Sequence, residues 1–147
     1  MVQTENIEKV YLFEKDRVNS FKKWPYSASS PCNIQKVLGS VMAEAGFYWQ
    51  GDDKEDEDTS VCFVCGKVLD GWEESDDPWE EHKKHAPQCL FVKYGRPEAE
   101  LTCEEMINLL EVILKGRIQS SYTSLKDCLK AHIEKKRKEM TKQLSKN

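Results

Sequence analysis

The chain is 147 residues long with a formal net charge of −4, and 33% of its residues are charged against 39% hydrophobic. At a mean hydropathy of −0.70 it can build one small core plus an appendage, and no apolar run approaches the ~18 residues of a membrane span. The opening Met1-Val2-Gln3-Thr4-Glu5-Asn6 lacks a basic-then-apolar secretory pattern, so the six cysteines are expected in a reducing compartment, as metal ligands or free thiols.

Residues 1–13 form a lead segment with an apolar cluster, Val10-Tyr11-Leu12-Phe13. Asp16 to Trp24 reads as a short helix ended by Pro25. Ser30-Pro31 pairs an N-cap with a proline at the first helical position, which predicts a helix to about Ala45. Val37, Leu38, Val41, Met42 and Ala45 supply its buried face, and Gly46 its stop. Phe47-Tyr48-Trp49 has strand composition. Gly51 to Thr59 holds six acids and one lysine and reads as a solvated loop. Val61 to Val64 and Lys67 to Leu69 are two strands joined by a tight Cys-Gly turn. Asp77-Pro78-Trp79-Glu80 opens a helix through about His85, with Asp77 as its cap.

Tyr94-Gly95-Arg96-Pro97 marks a boundary, so the predicted organisation is a domain over 14–93, a linker over 94–98 and a long helix over 99–145. Thr102-Cys103-Glu104-Glu105 is a capping box. Behind it, Met106, Leu110, Ile113, Ile118, Tyr122, Leu125, Leu129 and Ile133 approximate a heptad seam. So long a stripe needs a partner helix, unless Gly116 and Ser120-Ser121 fold the helix back on itself. The fold class is therefore α+β: a three-stranded antiparallel sheet with short helices, followed by one long helix. From Lys130 to Asn147 seven bases face two acids; the run Lys135-Lys136-Arg137-Lys138 could touch nucleic acid, act as an import signal, or simply be solvated.

Cys62-x2-Cys65 on a hairpin turn, with a histidine and Cys89 downstream, has the spacing of a closed Cys3His zinc site. Such a site is structural, because no coordination position is left for a reactive water. His82 and His85 are one helical turn apart, and spacing alone admits either as the fourth ligand. Leu69-Asp70-Gly71-Trp72-Glu73 and Ser75-Asp76-Asp77 place carboxylates beside an indole at a sheet edge. Asp70 and Asp76 suit the ammonium of a peptide amino terminus, with a small first side chain against Trp72 and the peptide added as a strand. Lys67 and His85 would flank it and meet a phosphate. Asp77 is better explained as a cap, and Arg17, Trp24 and Phe47 as core residues. Cys32, Cys103, Cys128 and His132 lack the surroundings of a nucleophile or a ligand.

Arg17-x3-Phe21-x2-Trp24-Pro25, Met42-Ala43-Glu44-Ala45-Gly46-Phe47-Tyr48, Val61-Cys62-Phe63-x-Cys65 and Gly71-Trp72-x6-Pro78 resemble the baculoviral inhibitor-of-apoptosis (BIR) repeat. The resemblance implies one structural Zn2+ on Cys62, Cys65, His82 and Cys89, leaving His85 free. It implies a pocket for alanine-first peptides at Lys67, Leu69, Asp70, Trp72, Asp76 and His85. One repeat, an acidic charge, a long final helix and Glu100-Leu101-Thr102-x2-Glu105 resemble the single-repeat branch of that family. There the implied role is a non-enzymatic subunit of the chromosomal passenger complex, acting in mitosis and cytokinesis at centromeres and the spindle midzone, in nucleus and cytoplasm. Its implied ligand is a histone tail phosphorylated at the third residue. Its helix (here Ile118, Tyr122, Leu125, Leu129 and Ile133) would bundle with borealin-like and INCENP-like subunits that place an Aurora-type kinase, and the branch admits a homodimer. The alternative is an apoptosis regulator that inhibits caspases or binds alanine-first antagonists. A ubiquitin ligase of this family would need a second zinc module, for which residues 98–147 hold only Cys103, Cys128 and His132.

Overall fold

The computed structural model describes residues 11–21, 24, 41–51, 57–73 and 75–144. The Ser30-Pro31 helix start, Val37, Leu38, Cys32 and residues 52–56 of the acidic loop lie outside the described residues. Strands β1 (Phe47–Trp49), β2 (Ser60–Cys62) and β3 (Val68–Leu69) form one antiparallel sheet in the order β1-β2-β3. The last two are shorter than predicted because the chain leaves the ladder to build a cysteine knuckle. The Gly66 N–H donates to the Cys62 carbonyl (3.0 Å), and the Cys62 N–H to that of Lys67 (2.9 Å).

Helix α1 covers Glu14–Ser20, starting and ending earlier than predicted. The Ser20 hydroxyl turns back to the Arg17 carbonyl (2.6 Å), and Phe21 is already in the core. Helix α2 (Val41–Glu44) is the described end of the predicted second helix. It stops at Gly46, whose φ of +93° favours glycine. A Cβ there would lie 2.9 Å from Phe91 Cδ1. Helix α3 (Pro78–His85) begins as predicted: Asp77 Oδ1 accepts from the Trp79 (2.9 Å) and Glu80 (3.1 Å) N–H groups. Helix α4 (Leu90–Tyr94) was not anticipated; it is one turn, closed by left-handed Gly95, and places Phe91 in the core.

Phe21, Met42, Phe47, Trp72 and Phe91 are buried in the core, and one cation, Arg17, is fully buried as well. Its Nε donates to the Ala43 carbonyl (2.8 Å), Nη1 to those of Leu12 (2.7 Å) and Tyr11 (3.2 Å), and Nη2 to Glu98 Oε2 (3.1 Å). The guanidinium also lies 4.2 Å from the centroid of the Phe63 ring. The lead segment, helix α2 and Glu98 are thus tied to one charge, and the Glu98 carboxylate compensates for its burial.

Helix α5 runs unbroken over Cys103–Leu144, without the alternative break at Gly116. The capping box forms: Glu105 N–H donates to Thr102 Oγ1 (3.2 Å), and Thr102 N–H to Glu105 Oε2 (2.8 Å). The single predicted seam proves to be two faces. Leu109 and Ile113 are buried, with Met106 packed beside them, whereas Leu110, the residue chosen from sequence, is only half-buried. Ile107 and Leu114 are exposed and align with Ile118, Tyr122, Leu125, Leu129 and Ile133. At ~100° per residue Ile107 lies roughly 140° around the helix from the stripe of Leu109 and Ile113. Because Leu101, Met106, Leu109 and Ile113 join the core, the compact first unit extends to Ile113, past the predicted boundary at 94–98, and a second unit begins at Leu114. No helix among the described residues is long and apolar enough to cross a membrane.

Candidate zinc centre and peptide cleft

The cysteine knuckle and helix α3 bring four donors together. The ligand atoms of Cys62, Cys65, His82 and Cys89 all lie within 4.8 Å of one another. The Cys62 and Cys89 sulfurs are 3.9 Å apart, and Cys65 Sγ is 3.8 Å from His82 Nε2. A zinc tetrahedron with ~2.3 Å Zn–S and ~2.0 Å Zn–N bonds has edges of roughly 3.5–3.8 Å, so the Cys62–Cys89 and Cys65–His82 pairs already match one ion and the wider separations close by up to about 1 Å to join them.

The surroundings fit as well. His82 is fully buried and its Nδ1 is 2.8 Å from the Ala45 carbonyl, which holds the ring proton on Nδ1 and leaves the Nε2 lone pair for the metal. The Val64 N–H points at Cys62 Sγ (3.4 Å), as it would toward a thiolate. Without metal the cluster shares protons unevenly. Burial raises the Cys62 thiol well above its ordinary value, while hydrogen bonds from Cys62 and Cys65 pull Cys89 far below it. For His82, burial lowers the pKa but hydrogen bonds to Cys65 and Cys89 outweigh it, raising the value to about 9. Zinc binding therefore displaces protons here. With three thiolates the loaded site carries one negative charge and no open position. His85 stands apart from the cluster and is 41% exposed, so the geometry separates the two histidines that spacing left equivalent.

A cleft of about 370 Å³ opens beside the zinc module, lined by Leu69, Asp70, Gly71, Trp72, Glu73, Asp76, Glu81, Lys84 and His85. Five of the six residues predicted for the peptide site meet here. Lys67 is absent from the lining, and Lys84, three residues after Glu81 on α3, contributes an amine to it. Trp72 is only 4% exposed; it packs edge-on against Phe47 and presents little beyond the cleft floor. Its indole N–H donates to the buried Ser60 Oγ (3.1 Å), and its backbone N–H to Asp58 Oδ2 (2.8 Å). Asp58 was read as part of a solvated loop, but its carboxylate holds the backbone of the cleft floor. Asp76 Oδ2 accepts from the Glu73 N–H (2.8 Å), which fixes the acidic wall.

Sequence reasoning missed Glu81. It sits between two basic side chains, its carboxylate 3.2 Å from His85 Nε2 and 3.0 Å from Lys84 Nζ. The i,i+3 and i,i+4 spacing of Glu81, Lys84 and His85 on a predicted helix was the available signal.

The inhibitor-of-apoptosis domain model matches residues 17–93. Baculoviral IAP repeat-containing protein 5 of Rattus norvegicus is 38% identical over 108 residues, covering 73% of this chain and 72% of the rat protein. The Mus musculus protein of that name is 38% identical over 102 residues, 69% of each chain. Baculoviral IAP repeat-containing protein 5.2 of Xenopus tropicalis is 40% identical over 93 residues, so the match covers 63% of this chain and only 56% of the frog protein.

Proposed function

Since the chain belongs to the inhibitor-of-apoptosis (BIR) domain family, we propose that it works as a survivin-like, non-enzymatic chromosomal passenger subunit. In this reading the zinc module holds a cleft for the amino terminus of a histone tail phosphorylated at its third residue. The exposed helix stripe binds borealin-like and INCENP-like helices that position an Aurora-type kinase at centromeres. One observation carries the proposal: a single cleft has Asp70 and Asp76 beside the edge of Trp72, and Lys84 and His85 in the same lining. Carboxylates match a peptide ammonium, the closed indole floor favours a small first side chain, and the basic side chains match a phosphate.

The test is peptide binding by the zinc-loaded chain. A hydrogen bond to a charged group contributes roughly 1.5–3 kcal/mol, so Asp76→Ala is expected to weaken an alanine-first peptide by about tenfold or more. Acetylating the peptide amine should do the same. A phosphate on the third residue should tighten binding. If the unmodified alanine-first peptide binds better than the phosphorylated one, the cleft is a peptide site of the apoptosis-regulator kind and the histone reading is wrong.

A further inference from the structure

Cys128 and His132 stand one helical turn apart on α5, within the unit that begins at Leu114, and both are exposed. At ~100° per residue they lie roughly 100° and 60° from Leu129 on the same side, along one flank of the exposed stripe. A thiol and an imidazole at i and i+4 have Cβ atoms about 6 Å apart on one helix face, near enough to share an ion. From sequence these two lacked ligand surroundings, and within one chain they are still two donors short of a tetrahedron. The stripe has a symmetry that supplies the other two. Leu129 and Ile133 lie two residues either side of Ala131, Tyr122 and Met140 nine, and Ile118 and Leu144 thirteen. All six are exposed. A second copy of α5 running antiparallel, with the two-fold axis at the level of Ala131, therefore sets each of them opposite its counterpart. Leu125 falls opposite Arg137, whose aliphatic stem covers it.

We propose that Cys128 and His132 are half of a second zinc site, of Cys2His2 type, completed by the same two residues of a second copy across an antiparallel pair of α5 helices. Reversal turns the same flank of both helices to the same side, so the two Cys–His pairs face each other. Their midpoint, Lys130, is one residue (~1.5 Å) from the axis, and the four Cα atoms occupy a band of about 9 Å along the pair. Charge favours the antiparallel arrangement too. Lys138 and Lys142 come level with uncharged Ser124 and Ser120 of the second copy, and Lys135 with Asp127, whereas a parallel pair would set each base level with itself. As the ion binds, both thiols give up their protons to solvent and two neutral imidazoles donate lone pairs, so the loaded site is uncharged. On the other flank Lys126, Lys130 and Arg137 repel the same bases of the second copy, so the helices pair weakly until the ion holds them. The pair uses the stripe that the proposed function gives to partner helices. It therefore belongs to the chain before those helices bind, and it does not depend on the peptide cleft.

The experiment uses the full-length chain with its Cys62 site already filled, kept reduced by a phosphine. Zn2+ is added and the mass followed by sedimentation equilibrium; a parallel titration with Co2+ reports the coordination through its thiolate and tetrahedral absorption. Added metal should double the mass at about one ion per two chains, with the spectrum of tetrahedral cobalt. Cys128→Ser and His132→Ala should each lose both the added ion and the doubling while keeping the first zinc and the helical circular dichroism. Cys103→Ser, a change at the other exposed cysteine of α5, should keep all of them. An added ion that binds without doubling the mass would overturn the proposal. So would an ion or a doubled mass that persists in Cys128→Ser and His132→Ala, or the failure of wild type to take up any added ion.

Discussion

At the scale of single residues, two buried ionisable groups organise the domain in opposite ways. His82 is held by the Ala45 carbonyl so that Nε2 faces the three sulfurs, while His85 pairs with Glu81 in the cleft. His82→Ala is therefore expected to lose the zinc, and with it the roughly 10–16 kcal/mol of apparent binding that couples structural zinc to folding. His85→Ala should keep one zinc per chain by elemental analysis; the reverse result would exchange the ligands. Arg17 is anchored by carbonyls and Glu98 rather than by metal. Arg17→Met should lower unfolding free energy in urea by about 3 kcal/mol, the lower range for a broken buried pair because Glu98 keeps some solvent contact. A loss below ~1 kcal/mol would mean that the guanidinium merely fills space.

At the scale of elements, helix α5 separates stability from assembly along its own surface. Leu109 is fully buried, so Leu109→Ala should destabilise the zinc-loaded chain by about 2–5 kcal/mol in urea unfolding. Leu125 and Leu129 are 71% and 58% exposed, so replacing both with Asp should leave the urea midpoint and zinc content near wild type but abolish co-purification with borealin-like and INCENP-like helices. Assembly that survives this double substitution would remove the bundle from the proposed function. The start of α5 carries a pH dependence. Hydrogen bonding from the Thr102 N–H and from Arg96 holds Glu105 below its ordinary carboxylate value of 4.5. A depressed acid stabilises the fold fully above 4.5 and loses that contribution as pH falls through the lower folded value. The difference in thermal midpoint between wild type and Glu105→Gln should thus be present at neutral pH and shrink in acid; a constant difference would show that the capping geometry, not the charge, matters.

At the scale of the whole molecule, charge is segregated along the sequence: six acids and one lysine fall between Gly51 and Thr59, and seven bases against two acids between Lys130 and Asn147. If the run Lys135–Lys138 meets nucleic acid, binding of duplex DNA should weaken steeply between low and physiological salt, as counterion release requires. Binding that is absent, or indifferent to salt, would return those bases to a solvated helix end. The α+β architecture, the donor set around Cys62 and Cys65, the caps at Asp77 and Thr102 and the length of α5 were legible in the sequence, because each depends on near neighbours in the chain: knuckle spacing, i to i+3 hydrogen bonds, or a regular period. Tertiary structure alone decided what depends on distant partners. It brought His82 rather than His85 to the three sulfurs with its Nδ1 on the Ala45 carbonyl, lined the cleft with Lys84 and not Lys67, and set the Asp58 carboxylate on the Trp72 N–H. It also buried Leu109 rather than Leu110, because a helical period fixes the spacing of a stripe but not which stripe the core will cover.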